Sequence, residues 1–128
     1  MSFSHILSQG LNAGAGAITR SNTYTGSQKI SVVEAIADSV TDGQINVAVD
    51  FSAVKSFLLV SDQDVTIETN DGTTPDDTLS LLAGVPYIWN TDSYDTFLIT
   101  VDITAIFVTN VSGETANILL EALVDATP

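Results

Sequence analysis

The residues of this chain that can do chemistry are few, and carboxylates dominate them. Among 128 residues there are 16 Asp and Glu, one histidine (His5), no cysteine, and three basic residues, Arg20, Lys29 and Lys55. Catalysis needs at least a nucleophile with a base, a carboxylate pair in a dry pocket, or a metal. One histidine in the N-terminal stretch and no cysteine leave neither a catalytic triad nor a structural zinc site. The chain contains no Gly-rich phosphate loop, no HExxH and no GxSxG. The oxygen-rich cluster is Asp62 and Asp64 ahead of one strand-like run, with Asp71, Asp76 and Asp77 in the loop after it. Hard oxygen donors on adjacent loops are what Ca²⁺ takes, but the spacing matches no EF-hand loop. Asp also forms turns through its own side chain and keeps loops solvated, and that reading is adopted. Drawn as a glycosidase pair, the same carboxylates lack a pocket that would drive two pKa values apart. The sequence therefore predicts no enzyme, no cofactor and no metal.

The aromatic residues are the second candidate. Pro86-Tyr87-Ile88-Trp89-Asn90 followed by Tyr94 suits a sugar-stacking platform, the core, or a subunit contact. The single Trp of a small domain usually buries most of its ring, which favours core or contact.

Charge limits the partners. The net charge is −13. Nucleic-acid binding needs Lys and Arg against phosphates, and an anionic membrane needs the same. Neither is an expected partner. No run approaches the roughly 18 apolar residues of a membrane helix. Met1–Gly10 lacks the basic n-region and long apolar stretch of a secretory signal, so none is expected.

The elements that would position these residues read as strands. Met1–Gly26 stands apart: it holds four glycines and many Ser and Thr, and it has no acid. It is read as an extended N-terminal arm, with one strand near Ala17–Tyr24 and with Phe3, Ile6, Leu7, Leu11, Arg20 and Tyr24 as interaction residues. A frayed terminus is the alternative. From residue 27 to 128 Val, Ile, Thr and aromatics dominate. Lys29–Ala37 mixes strand and helix character. Thr41-Asp42-Gly43 reads as a turn, and Gln44–Asp50 alternates cleanly. Val54–Ser61, Val65–Thr69, Leu79–Leu82, Tyr87–Asn90, Phe97–Asp102, Ile106–Asn110 and Asn117–Val124 follow as strands. Asn70-Asp71-Gly72 and Ser112-Gly113 punctuate them. Eight to ten short strands without a helix predict an all-β fold, an antiparallel β-sandwich with jelly-roll-like order.

The second half, Leu79-Ser80-Leu81-Leu82-Ala83-Gly84-Val85-Pro86-Tyr87-Ile88-Trp89, then Asp102-Ile103-Thr104-Ala105-Ile106-Phe107-Val108-Thr109-Asn110, then Leu123-Val124-Asp125-Ala126-Thr127-Pro128, resembles small virion structural proteins of tailed bacteriophages, some of which are capsid cement or decoration proteins. The resemblance covers roughly Ser31 to the C-terminus and rests on style rather than on a motif. It implies a protein of the phage head surface whose partner is the major capsid protein. It also implies homo-oligomers, a trimer at a lattice three-fold being favoured. Interaction residues would be those of the arm with Tyr87, Trp89 and Tyr94. Two other expectations are kept: a tail or head-fibre module, and a carbohydrate- or Ca²⁺-binding sandwich.

Overall fold

A computed structural model describes residues 2–12, 14 and 16–125. The expected arm includes residues 1, 13 and 15, and the expected 27–128 domain includes residues 126–128, all of which lie outside the described residues.

The alternation of apolar and polar side chains sets the architecture. In β4 (Val40–Val49), Ile45, Val47 and Val49 are buried while Gln44, Asn46 and Ala48 are exposed. A strand turns successive side chains to opposite faces, so one face of each must be covered. β5 (Val54–Ser61), β6 (Val65–Thr69), β7 (Thr78–Leu81), β9 (Ile103–Asn110) and β10 (Ala116–Val124) repeat the pattern. β3 (Gln28–Ile36), the run of mixed character, is a strand, and β8 (Tyr87–Asn90) completes the set. All pairs are antiparallel, and they form two four-stranded sheets of order β3-β10-β5-β8 and β4-β9-β6-β7. The pairings β3·β10, β4·β9, β5·β8 and β6·β7 are nested, as in one long hairpin rolled up so that β10 also meets β5 and β9 meets β6.

Between the sheets lies a dry interior. Phe57, Ile67, Val108, Leu120 and Ala122 are fully buried in it, with Leu59 and Ile118 almost so. Phe97 meets Phe57 edge-on at 5.1 Å, and Trp89 stacks on Phe97 at 4.5 Å. One buried polar side chain closes the end of this core. Asn110 donates through Nδ2 to the carbonyls of Ile36, Ala37 and Glu114, and its Oδ1 accepts from Ser112. Buried carbonyls left without donors are costly, so this amide joins two turns that strand pairing leaves open.

Three local expectations are corrected. Residues 1–26 were expected to be an extended chain with one strand. β1 (Phe3–Asn12) and β2 (Ala17–Gly26) instead pair along their whole length, from Phe3 against Gly26 to Asn12 against Ala17. A lone strand would leave its N–H and C=O groups without ladder partners, and pairing satisfies them. Of the four glycines, Gly10 and Gly26 lie within the strands, while Gly14 and Gly16 sit in the connection and take φ of +85° and +132°. Thr41-Asp42-Gly43 is a bulge inside β4, not a turn, since the register against β9 shifts between Val40 and Gly43. The expected strand Phe97–Asp102 has no ladder. Phe97 and Ile99 still alternate inward, but side chains take the main-chain donors: Leu98 N–H donates to Tyr87 Oη and Thr100 N–H to Asp77 Oδ2.

Leu120→Ala opens a cavity in the closed core and is expected to cost about 2–5 kcal/mol. Ser80→Ala on the exposed face of β7 should stay within about 0.5 kcal/mol. Urea unfolding of both variants checks the contrast.

Candidate functional site

Among the described residues the β1–β2 ribbon forms its own two-stranded sheet and carries the exposed apolar residues Phe3, Ile6, Leu11 and Ile18. Alternation along it puts His5, Leu7, Gln9 and Leu11 of β1 and Ile18, Arg20, Asn22 and Tyr24 of β2 on one face, paired His5–Tyr24, Leu7–Asn22, Gln9–Arg20 and Leu11–Ile18. At its base this face is docked on the sheet β3-β10-β5-β8. Tyr24 is 8% exposed, His5 Nδ1 lies 3.0 Å from Ser56 Oγ, and Ser27 N–H donates to the carbonyl of Val124. Gly26 permits the close approach, because a Cβ there would stand 2.5 Å from the Val124 carbonyl oxygen. Leu123, which faces away from the core between Lys29 and Ser56 in the register, is fully buried.

Farther out, the ribbon meets the loop after β8. Asp92 Oδ2 accepts from Tyr24 Oη at 3.0 Å and Asn22 Nδ2 at 3.2 Å, with the Arg20 guanidinium 3.5 Å away. An ion pair this exposed adds little stability, so the neutral donors do most of the fixing. The cleft between ribbon and loop is about 320 Å³ and is lined also by Leu7, Gln9, Ile88 and Tyr94. Beyond Arg20 the Leu11–Ile18 pair is open, 63% and 73% exposed.

A second groove, of about 290 Å³, follows the seam between β1 and the sheet, past His5, Lys29, Ser56 and Glu121. Glu121 Oε1 accepts from Ser31 Oγ at 2.9 Å, and its buried Oε2 has no hydrogen-bond partner. Burial lowers the His5 pKa from its ordinary value of 6.5; the Glu121 charge opposes the shift and Lys29 adds to it.

The expected site residues are dispersed. Phe3 and Ile6 are exposed, Leu7 is half-buried and Leu11 is open on the ribbon, with Arg20 and Tyr24 on the Asp92 cluster. Tyr87 and Trp89 turn toward Phe57 and Phe97, and Trp89 Nε1–H donates to the Asp95 carbonyl. Only Tyr94 of the three aromatics is fully exposed. The five acids weighed for Ca²⁺ accept internal donors: Asp62 from Asn117, Asp64 from Ala83 N–H, Asp71 from the N–H groups of Thr73 and Thr74, Asp76 from Asn70, and Asp77 from Thr100. Those donors hold the Asp62 and Asp71 carboxyls below the usual aspartate range. Among the described residues no group of three or more His, Asp or Glu is placed to hold a metal. Sequence reasoning missed Asp92, whose role depends on a ribbon about 70 residues away in the chain.

The outer faces of the two sheets differ. On β4-β9-β6-β7 it carries Gln44, Asn46, Thr66, Glu68, Thr78 and Ser80, with Phe107 half-buried among them. There desolvation, followed by a hydrogen bond to Asp42 and the charges of Asp42 and Asp71, raises the Glu68 pKa. On β3-β10-β5-β8 the register lines up Val33, Leu119 and Val60, with Leu58 and Ile88 in the adjoining row.

The described chain is thus an antiparallel two-sheet β protein with a ribbon docked on one sheet. No family model matches it, and neither a curated protein nor a solved structure matches it significantly.

A His whose folded pKa lies below its unfolded value favours the neutral form when folded. Its contribution is intact above about pH 6.5, the ordinary value, and is lost as pH falls through the lowered one. The protection factors of the β1 and β2 amides, which allow for the intrinsic slowing of exchange at lower pH, are therefore expected to fall between neutral and mildly acid pH. His5→Gln should flatten that dependence.

Proposed function

We propose that this chain is a structural protein of a phage virion, a cement protein that binds the outer surface of the head through protein–protein contacts. The observation that carries the reading is the ribbon, which has apolar side chains the chain itself does not cover. Monomeric soluble proteins rarely leave larger apolar patches open unless something binds them. The nested strand order supports a jelly roll, an architecture common in viral shells and also in lectins. The outward-reaching ribbon supports an N-terminal arm that lies across a neighbouring subunit, and the sandwich supplies a rigid mount for it. A net charge of −13 discourages non-specific association, so contact is confined to surfaces that match, on a lattice or on another copy.

Full-length chain added to phage heads that lack it is expected to co-sediment with the intact heads and not with free capsid subunits. A variant lacking residues 2–26 should fold by circular dichroism and lose the co-sedimentation. If the full chain stays in the supernatant, the reading fails.

A second reading rests on the cleft beside Tyr94, where a fully exposed ring borders Arg20, Asn22 and Asp92. Carbohydrate modules combine an aromatic face with planar polar groups in this way. It predicts a melting temperature that rises with a panel of neutral oligosaccharides and a rise abolished by Tyr94→Ala. No rise at millimolar sugar removes it.

A further inference from the structure

We propose that the open end of the β1–β2 ribbon of one copy lies across the outer face of the sheet β3-β10-β5-β8 of a second copy. This rests on the virion reading above and names the surface through which the subunits meet. Three observations carry it.

The first is reach. Ten residues at about 3.3 Å each make the ribbon about 33 Å long, while four strands at about 4.8 Å span under 20 Å. The base of the ribbon is docked through Tyr24, and the last fixed contact, Arg20 to Asp92, leaves the Leu11–Ile18 pair beyond it. That pair is more than half exposed although it shares the ribbon face that Tyr24 buries.

The second is a matching surface. The ribbon's own base already uses the outer side of this sheet, covering Leu123 and Ser56. The next row on the same side is mixed, Ser31–Glu121–Leu58–Ile88, and the one after it, Val33–Leu119–Val60, is apolar throughout and stays partly open, with Val33 71% exposed. One side of the sheet thus offers a covered leucine and an uncovered apolar row, and the ribbon offers a covered pair, His5–Tyr24, and an uncovered apolar pair, Leu11–Ile18.

The third is charge. Arg20 lies on the ribbon, Lys29 on this side of β3, and Lys55 at the bulge of β5 in the same sheet. Among the described residues, Glu121 is the one acid that the register places on this side. On a chain of net charge −13, two copies meet here with less repulsion than on the other outer face, where Glu68 stands beside Asp42.

The contact is heterologous: the ribbon of one copy meets the sheet of the next, so repetition closes into a ring when the rotation allows. The test is a mixing experiment on full-length protein, read by light scattering after size exclusion. The wild-type chain is expected to form a closed oligomer. Ile18→Asp, which spoils the ribbon, and Val33→Asp, which spoils the sheet, are both at exposed positions and should each give folded monomers by circular dichroism. Mixed together, the two variants keep one good ribbon and one good sheet and should form a dimer. A wild-type monomer would overturn the proposal, and so would variants that still assemble. Monomeric variants whose mixture stays monomeric would point to a face that meets its own twin and would also overturn it. Co-sedimentation with heads, measured in parallel, separates the two ideas: wild type that binds heads but is monomeric sinks the ribbon contact and leaves the virion reading standing.

Discussion

Everything in this molecule depends on covering the inner faces of two sheets with side chains that are almost all aliphatic or aromatic. At roughly 25 cal/mol per Å² of apolar surface, the buried interior is the main favourable term for a domain this small. It is also what forces the nested pairing. β3 can find β10, and β4 find β9, only if the intervening chain folds back on itself, and the two halves of that fold then become the two sheets. The polar exceptions occur where pairing stops. Asn110 satisfies the turn carbonyls at one end, and at the other Asn70 bonds Thr104, Asp76 and the Asp102 carbonyl.

The interior decides the exterior by subtraction. Acids that cannot enter the core become turn formers, and their carboxylates accept the N–H groups that loops leave free. The acid-poor ribbon and the sheet beneath it are then the surface that the proposed function assigns to another protein. The Glu121 Oε2, which has no hydrogen-bond partner, sits at that seam with His5 and Lys29, where burial lowers the His5 pKa against the opposing Glu121 charge.

Much of the fold was legible because alternation is a local signal. β5, β6 and β8 fall where the residue pattern puts them, and the inward set Ile45, Val47 and Val49 follows from period two alone. Lys29–Ala37 was ambiguous because Val32, Val33, Ala35 and Ile36 fit both periods, and only pairing with β10 decides it. The missed features depend on distant partners. Phe97–Asp102 has strand-like alternation, but Tyr87 and Asp77 claim its N–H groups. The ribbon was hidden by its composition, since Ser, Thr and Gly give no apolar alternation to read, and its docking needs Asp92 and Ser56 from the body. The aromatics were read as one group, but strand alternation sends Tyr87 and Trp89 inward and leaves Tyr94 on a loop.

The account stands or falls on the ribbon being the part of the chain that another protein covers. Hydrogen–deuterium exchange on the chain diluted to its monomer and on the chain bound to assembled heads measures this directly. The expected result is new protection concentrated in β1, β2 and β3, with β6 and β7 unchanged. Protection confined to β6, β7 and the 70–77 loop, with the ribbon exchanging as freely as before, would contradict it.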